Sequence, residues 1–289
     1  MLQSKSSCSV LLFLVMPFQS LHAEDEYGLF PALKDVTHLQ DVTASPPYAT
    51  STAAAMALHS DGTKYIVGQL RGNVDFDPGL AELIYTDDWG DPYIAIYPPN
   101  AAPIVHQFFN DQGGTAGEMK DIHLDGAGNA YVLGEFDADL LVIGDGLPDL
   151  MGSGDTSFVA KINSMGVVQW AFSLPDSPST PYVYTMAVND NRIAIGGEIG
   201  RFGADFDPDP LQSTFASGVS SNDPFIASYS LDGDFLWVRV MEQLIVGQNQ
   251  DGVEDLVLME NNQLLVSGSF GSDTDFTYSA ANVILSSGN

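Results

Sequence analysis

The chain has 289 residues, with 38 Asp and Glu against 9 Lys and Arg, and a formal net charge of −29 at pH 7. A surplus of that size repels nucleic-acid phosphates and anionic lipid surfaces, so neither is expected as a partner. The single cysteine, Cys8, excludes an internal disulfide framework, and a chain of this length can bury a sizeable core without one.

In chain order, residues 1–23 read as an export leader. Lys5 gives a positive start, Val10 to Phe18 a short apolar core, and Leu21, His22 and Ala23 a small-residue exit. The apolar run is shorter than the ~20 residues a bilayer-spanning helix needs, and no later run is longer, so no membrane span is expected. Cys8 belongs to the leader and follows no lipobox-like stretch, so beyond residue 23 the chain carries no cysteine. The expected location is extracellular, secreted or at the surface of a bacterial cell. Residues 24–49 form an N-terminal segment in which Val36 to Val42 has the pattern of a strand, expected to close a ring against the end of the chain.

From residue 50 onward one pattern recurs. An apolar stretch ending in glycine appears at Tyr65–Gly68, Tyr131–Gly134, Ala194–Gly197 and Leu265–Gly268, at intervals of 66, 63 and 71 residues. An aromatic-aliphatic-Ala stretch follows at Tyr93–Ala95, Phe158–Ala160 and Phe225–Ala227, and a third anchor at His106, Trp170 and Trp237. Three markers keeping one spacing point to stacked structural repeats. By that ruler the fourth aromatic stretch would fall near position 295, so the last unit is expected to lack its second hairpin. The units run about 50–117, 118–181, 182–249 and 250–289, the last partial.

Within a unit the elements are short strands. In the second, Ile122–Leu124 and Ala130–Phe136 flank the turn Asp125–Asn129, and Ser157–Ile162 and Val167–Phe172 flank Asn163–Gly166. Turn residues recur at Ser60–Gly62, Asn189–Asn191, Glu260–Asn262 and Leu231–Asp234. Asp, Asn and Gly at these points tolerate the positive φ of tight hairpins. No stretch after the leader keeps a 3.6-residue period. The expected fold is therefore all-β: a β-propeller of about four repeats of about 65 residues, its last blade incomplete or closed by the N-terminal strand. A β-sandwich or a linear β-array is the alternative.

The motifs Val74–Gly79 (Val-Asp-Phe-Asp-Pro-Gly), Asp205–Pro208 (Asp-Phe-Asp-Pro), Asn222–Ala227 (Asn-Asp-Pro-Phe-Ile-Ala) and Leu231–Trp237 (Leu-Asp-Gly-Asp-Phe-Leu-Trp) resemble the bacterial secreted β-propeller repeats called SBBP repeats. The resemblance covers about residues 50–289. The chain departs from it at His106, where Trp is usual, and at Leu141–Gly144, where Asp-Phe-Asp-Pro would stand. The resemblance implies a secreted, non-enzymatic propeller or adhesin-like module, often part of a longer protein, and no catalytic residues.

Two residue sets are candidate sites. Asp75 with Asp77, Asp205 with Asp207 and Asp209, and Asp273 with Asp275 place carboxylates around a Phe, two on one strand face. Clustered hard oxygens suit Ca²⁺. The competing reading makes the Phe a core plug and the aspartates its solvated neighbours. Glu135 and Glu198 follow the second and third anchor glycines, where the other units have Gln69 and Ser269. Near a propeller axis they would meet as an acid/base pair. Trp170 and Trp237 read as packing residues, and no nucleophile elbow, phosphate loop or His/Cys cluster occurs. The expected function is non-catalytic extracellular binding, adhesion or scaffolding, toward a protein or glycan. The alternative is a polysaccharide hydrolase or lyase using Glu135 and Glu198.

Overall fold

The computed structural model describes residues 40–41, 51–77, 81–108, 115–137, 139–152, 154–174, 180–219, 222–241, 252–261, 263–269, 274–275 and 284–285. The leader 1–23 lies outside them. Among the described residues every element is a strand, and no helix is long and apolar enough to cross a membrane.

The first sheet holds β1 (Gln40–Asp41), β2 (Thr52–Leu58), β3 (Lys64–Asp75), β4 (Ile84–Tyr97) and β5 (Ile104–Gln107). Strands β2 to β5 form an antiparallel meander. The second sheet begins with β6 (Thr115–Leu124) and β7 (Ala130–Asp137). A small ribbon, β8 (Leu140–Leu141) with β9 (Leu150–Met151), precedes its second hairpin, β10 (Asp155–Ile162) and β11 (Val168–Ser173). The third sheet repeats this plan with β12 (Tyr182–Val188) and β13 (Ile193–Ile199), the ribbon β14 (Ala204–Asp205) and β15 (Phe215–Ala216), then β16 (Asp223–Tyr229) and β17 (Phe235–Val240). The hairpin of β18 (Gly252–Leu258) and β19 (Leu264–Ser269) and the ribbon of β20 (Thr274–Asp275) and β21 (Ile284–Leu285) follow.

Strand β3 runs past the end of β2, and β1 occupies the edge left over: Gln40 and Asp41 pair with Asp75 and Val74. An uncovered strand edge offers unpaired N–H and C=O groups, and this one is capped by the nearest chain. The two described residues of Val36–Val42 thus belong to the first sheet and not, as the ring-closing expectation had it, to the fourth unit.

The hairpin turns are stapled by one polar side chain each. Asp125 Oδ1 accepts the N–H groups of Ala127 and Asn129, both at 2.9 Å, and Asn163 Oδ1 accepts those of Met165 and Val167 at 3.0 Å. Asn189 Oδ1 and Ser230 Oγ do the same in the third sheet. Short polar side chains that satisfy backbone donors two to four residues on are what makes these turns close.

The four anchor glycines share one geometry. Gly68, Gly134 and Gly197 stand opposite Tyr93, Phe158 and Phe225 on one side. On the other side Gly68, Gly134, Gly197 and Gly268 face Ala53, Met119, Val183 and Val253, and the register slips immediately after each pair. Each slip is a β-bulge whose extra residue is Ala54, Lys120, Tyr184 or Glu254. The bulge drives the first strand's backbone onto the glycine. A β-carbon at Gly68, Gly197 or Gly268 would lie 1.9, 1.8 or 2.2 Å from the carbonyl oxygen of Thr52, Tyr182 or Gly252. At Gly134 it would lie 2.5 Å from the Phe158 ring and 2.9 Å from Glu118 O.

The sheets pack face to face in chain order. Val67, Ile94 and Ile96 of the first meet Ile122, Val132 and Phe158 of the second. Leu133, Val159 and Phe172 of the second meet Val183, Ile195 and Phe225 of the third. Ala187, Ala194 and Ile226 of the third meet Val253 and Leu256 of the last hairpin. Since alternate residues point to opposite faces, a sheet covered on both sides needs unbroken apolar runs, and Tyr131, Val132 and Leu133 are all fully buried. The two ends of the stack differ: on the outer face of the first sheet Ile66, Tyr93 and Ala95 are fully buried while Met56 and Leu58 of edge strand β2 are 48% and 59% exposed, whereas Val257 and Leu265 of the last hairpin are 50% and 61% exposed.

Pairing corrects one anchor. Trp170 and Trp237 face Lys161 and Ser228, three residues past the aromatic of their strands. The residue so placed in the first sheet is Ile104, opposite Ile96, while His106 faces Ile94 and so matches Phe172, which faces Val159. The longer turn between β4 and β5 hides this in a residue count. Each such position supports the turn of the next sheet: Ile104 lies under Gly166, and Trp170 under Gly233.

Two paired comparisons test this account. Gly197→Ala should cost about 3 kcal/mol in urea denaturation, because the added carbon meets rigid backbone, whereas Gly126→Ala, with nothing within 4 Å, should stay within ~0.5 kcal/mol. Tyr229, whose hydroxyl donates to Phe206 O at 3.0 Å, should lose about 1 kcal/mol on conversion to Phe. Tyr97 is at the same register and its buried hydroxyl has no partner, so Tyr97→Phe should be neutral or stabilising in the same assay.

Candidate functional site

Glu135 and Glu198 sit on β7 and β13, beside the bulges. Glu135 is half-buried and ion-paired with Lys120, the extra residue of its own sheet's bulge. Glu198 is only 7% exposed and accepts hydrogen bonds from Asn222 Nδ2 and from the hydroxyl of Tyr184, the extra residue of the third bulge. Burial, and then the neighbouring charge of Glu198, push the Tyr184 phenol well above its ordinary range, and the charge of Glu135 adds in the same direction. Tyr184 therefore stays a neutral donor at neutral pH. Tyr184 bonds Glu198 and feels the charge of Glu135 only weakly, and no hydrogen bond joins the two glutamates among the described residues.

Chemically this cluster is an acceptor site already filled. A general acid must hold its proton near neutral pH, through burial without donors or through a like charge. Here a lysine pairs with Glu135, and an amide and a phenol donate to Glu198. Lys120, Tyr184 and Asn222 escaped the sequence reading, because the four bulge residues share a register and no chemistry. Each contact stays within its own sheet, Lys120 with Glu135 in the second and Tyr184 and Asn222 with Glu198 in the third.

The acidic loops are also internally engaged. Asp75 Oδ1 accepts the N–H groups of Asp77 and Leu83, both at 2.9 Å. In the third sheet Asp205 Oδ1 accepts those of Asp207 and Thr214 at 3.1 and 2.8 Å, and Asp207 Oδ1 that of Asp209 at 3.1 Å. Asp209 accepts from Leu211 N and Gln212 Nε2, and the Gln212 hydrogen bond leads in lowering its pKa. Phe76 and Phe206 are fully buried between these aspartates. That is the core-plug arrangement. No group of three or more His, Cys, Asp or Glu among the described residues is gathered to hold a metal ion. Asp273 and the side chain of Asp275 lie outside the described residues.

A different feature went unseen in the sequence. Between β11 and segments 207–214 and 232–235 of the third sheet lies a cleft of about 590 Å³. Buried Phe172 and half-buried Trp170 and Phe235 form its apolar part, and the Trp170 and Phe172 rings stack with centroids 5.8 Å apart. Asp207, Asp209, Asp232 and Asp234 line it with Gln212 and Thr214, and no lining residue is basic. Trp170 remains a packing residue, its Nε1 donating to Leu231 O at 3.3 Å, and it lines the cleft. The cleft's strand and loops belong to different sheets and stand 35 or more residues apart, so only sheet stacking assembles them.

No protein-family model matches the chain, and comparison with curated proteins finds no match either.

If Asp205 is a loop staple, Asp205→Ala should cost about 1–2 kcal/mol by orphaning two backbone donors, equally with calcium and with a chelator. A loss confined to calcium-containing buffer would instead identify a metal ligand.

Proposed function

We propose that the chain is a secreted β-propeller module, built from units of about 65 residues, that binds extracellular ligands without chemistry of its own. The common meander and register of the three full sheets, and the exposed apolar face of the last hairpin, support an arc of a ring in which a further strand covers that face. The leader at 1–23 and the likeness to SBBP repeats support a place outside the cell. The observation that carries the non-catalytic reading is that both carboxyls are already engaged by neighbouring side chains: Lys120 pairs with Glu135, and Asn222 and Tyr184 donate to Glu198. Hydrolysis of a glycosidic bond by two carboxyls needs both to flank the scissile bond, and here each is taken up by a partner of its own.

The double variant Glu135→Gln/Glu198→Gln separates the readings. On an array of extracellular glycans and proteins it is expected to bind as the unmodified chain does, within about twofold, and neither protein should depolymerise a polysaccharide. Cleavage by the unmodified chain that the double variant loses would establish the hydrolase or lyase instead.

A further inference from the structure

We infer that the cleft between β11 and segments 207–214 and 232–235 is a binding site for a cationic side chain, the lysine or arginine of a basic polypeptide segment. The inference rests on the reading of the chain as a binding module.

The cleft is open where its counterpart is shut. Between the first and second sheets, His106 stands at the register of Phe172, and its Nε2 meets Ile143 O at 3.0 Å. Asp145 turns inward there to accept the N–H of Val168 at 2.9 Å. That loop plugs the corner. In the third sheet the corresponding run is Asp-Phe-Asp-Pro, residues 205–208, and Asp209, which follows it as Asp145 follows Gly144, turns instead to its own loop and accepts from Leu211 N and Gln212 Nε2. Without that plug, Trp170, Phe172 and Phe235 line an accessible space.

Its chemistry selects for positive charge. Carboxylates stabilise an ammonium or guanidinium placed among them, and aromatic side chains cover the aliphatic stem that carries it. Asp207, Asp209, Asp232 and Asp234 bring four negative charges and the lining brings no base, so an anion is repelled. A neutral glycan would cover the same rings, but it would desolvate carboxylates to which it returns no charge. Volume argues for more than an ion. About 590 Å³ lies within the range of small-ligand clefts, roughly 300–1,000 Å³. Asp207 and Asp209 are fixed by N–H groups of their own loop, so they present charge at set positions.

Hexalysine, titrated calorimetrically into the full chain, tests this, with a neutral maltohexaose titration alongside. Saturable binding that weakens with salt is expected. It should fall about tenfold in Asp232→Asn/Asp234→Asn, which removes two ion pairs and keeps the side-chain shape. It should stay within about twofold in Glu82→Gln/Asp149→Asn, exposed carboxylates elsewhere. Equal loss in both double variants would overturn the inference by showing attraction to net charge alone, and so would absent hexalysine binding by a folded chain. Maltohexaose binding without hexalysine binding would overturn the cation assignment and leave the binding module standing. Cleavage of the maltohexaose would overturn the binding-module reading itself.

Discussion

A β-carbon has no room at the anchor glycines, and the sheets are organised around that fact. The bulge in each first strand pushes a carbonyl to within 1.8–2.2 Å of where the side chain would begin at Gly197, Gly68 and Gly268. Only the missing side chain lets the two strands stay paired across the slip. On the opposite side the vacant surface of Gly68, Gly134 and Gly197 is met by Tyr93, Phe158 and Phe225, each fully buried. A glycine that weakens a strand by having nothing to pack is thereby covered by the largest side chains available. Close backbone approach and ring packing thus fix the same register in each sheet.

The bulge also decides what reaches the polar cluster. By turning one extra residue aside, it sends Lys120 to Glu135 and Tyr184 to Glu198. The same device at Ala54 carries no functional group, and at Glu254 a carboxylate. One backbone geometry therefore delivers unlike side chains to equivalent points, so shared architecture imposes no shared chemistry. The pairs that do form lie partly out of water, where removing one partner leaves an uncompensated charge and costs more than the pair itself contributes.

Acidic side chains stand both in strands and in turns, and among the described residues Asp91, Glu198 and Asp223 are buried. Sheets covered on both faces leave few strand positions for an unpaired charge, so many of the other described carboxylates stand at strand ends, in turns and in connecting loops. There many of them serve the backbone: Asp75, Asp125 and Asp205 each take two N–H groups that the loop would otherwise leave unpaired. Repetition of Asp-x-Asp around a buried Phe follows from that local work. The carboxylates around the cleft matter for another reason, because they share a concave space with aromatic rings instead of merely ending a turn.

Strand-length apolar runs, hairpin turns and the Gly and aromatic spacing were legible in the sequence because each depends on neighbours a few residues away, through alternation, turn chemistry and close backbone approach. The all-β class followed from them, as did Phe76 and Phe206 as core plugs. Tertiary structure alone decided the rest. It paired Gln40 and Asp41 with β3, gave Ile104 and not His106 the place of Trp170, and brought the Tyr184 hydroxyl to Glu198 across a bulge. A one-residue slip leaves no trace in composition, since any side chain can occupy a bulge. The cleft was invisible for the same reason: its walls belong to different sheets, and a space between sheets exists only once they stack.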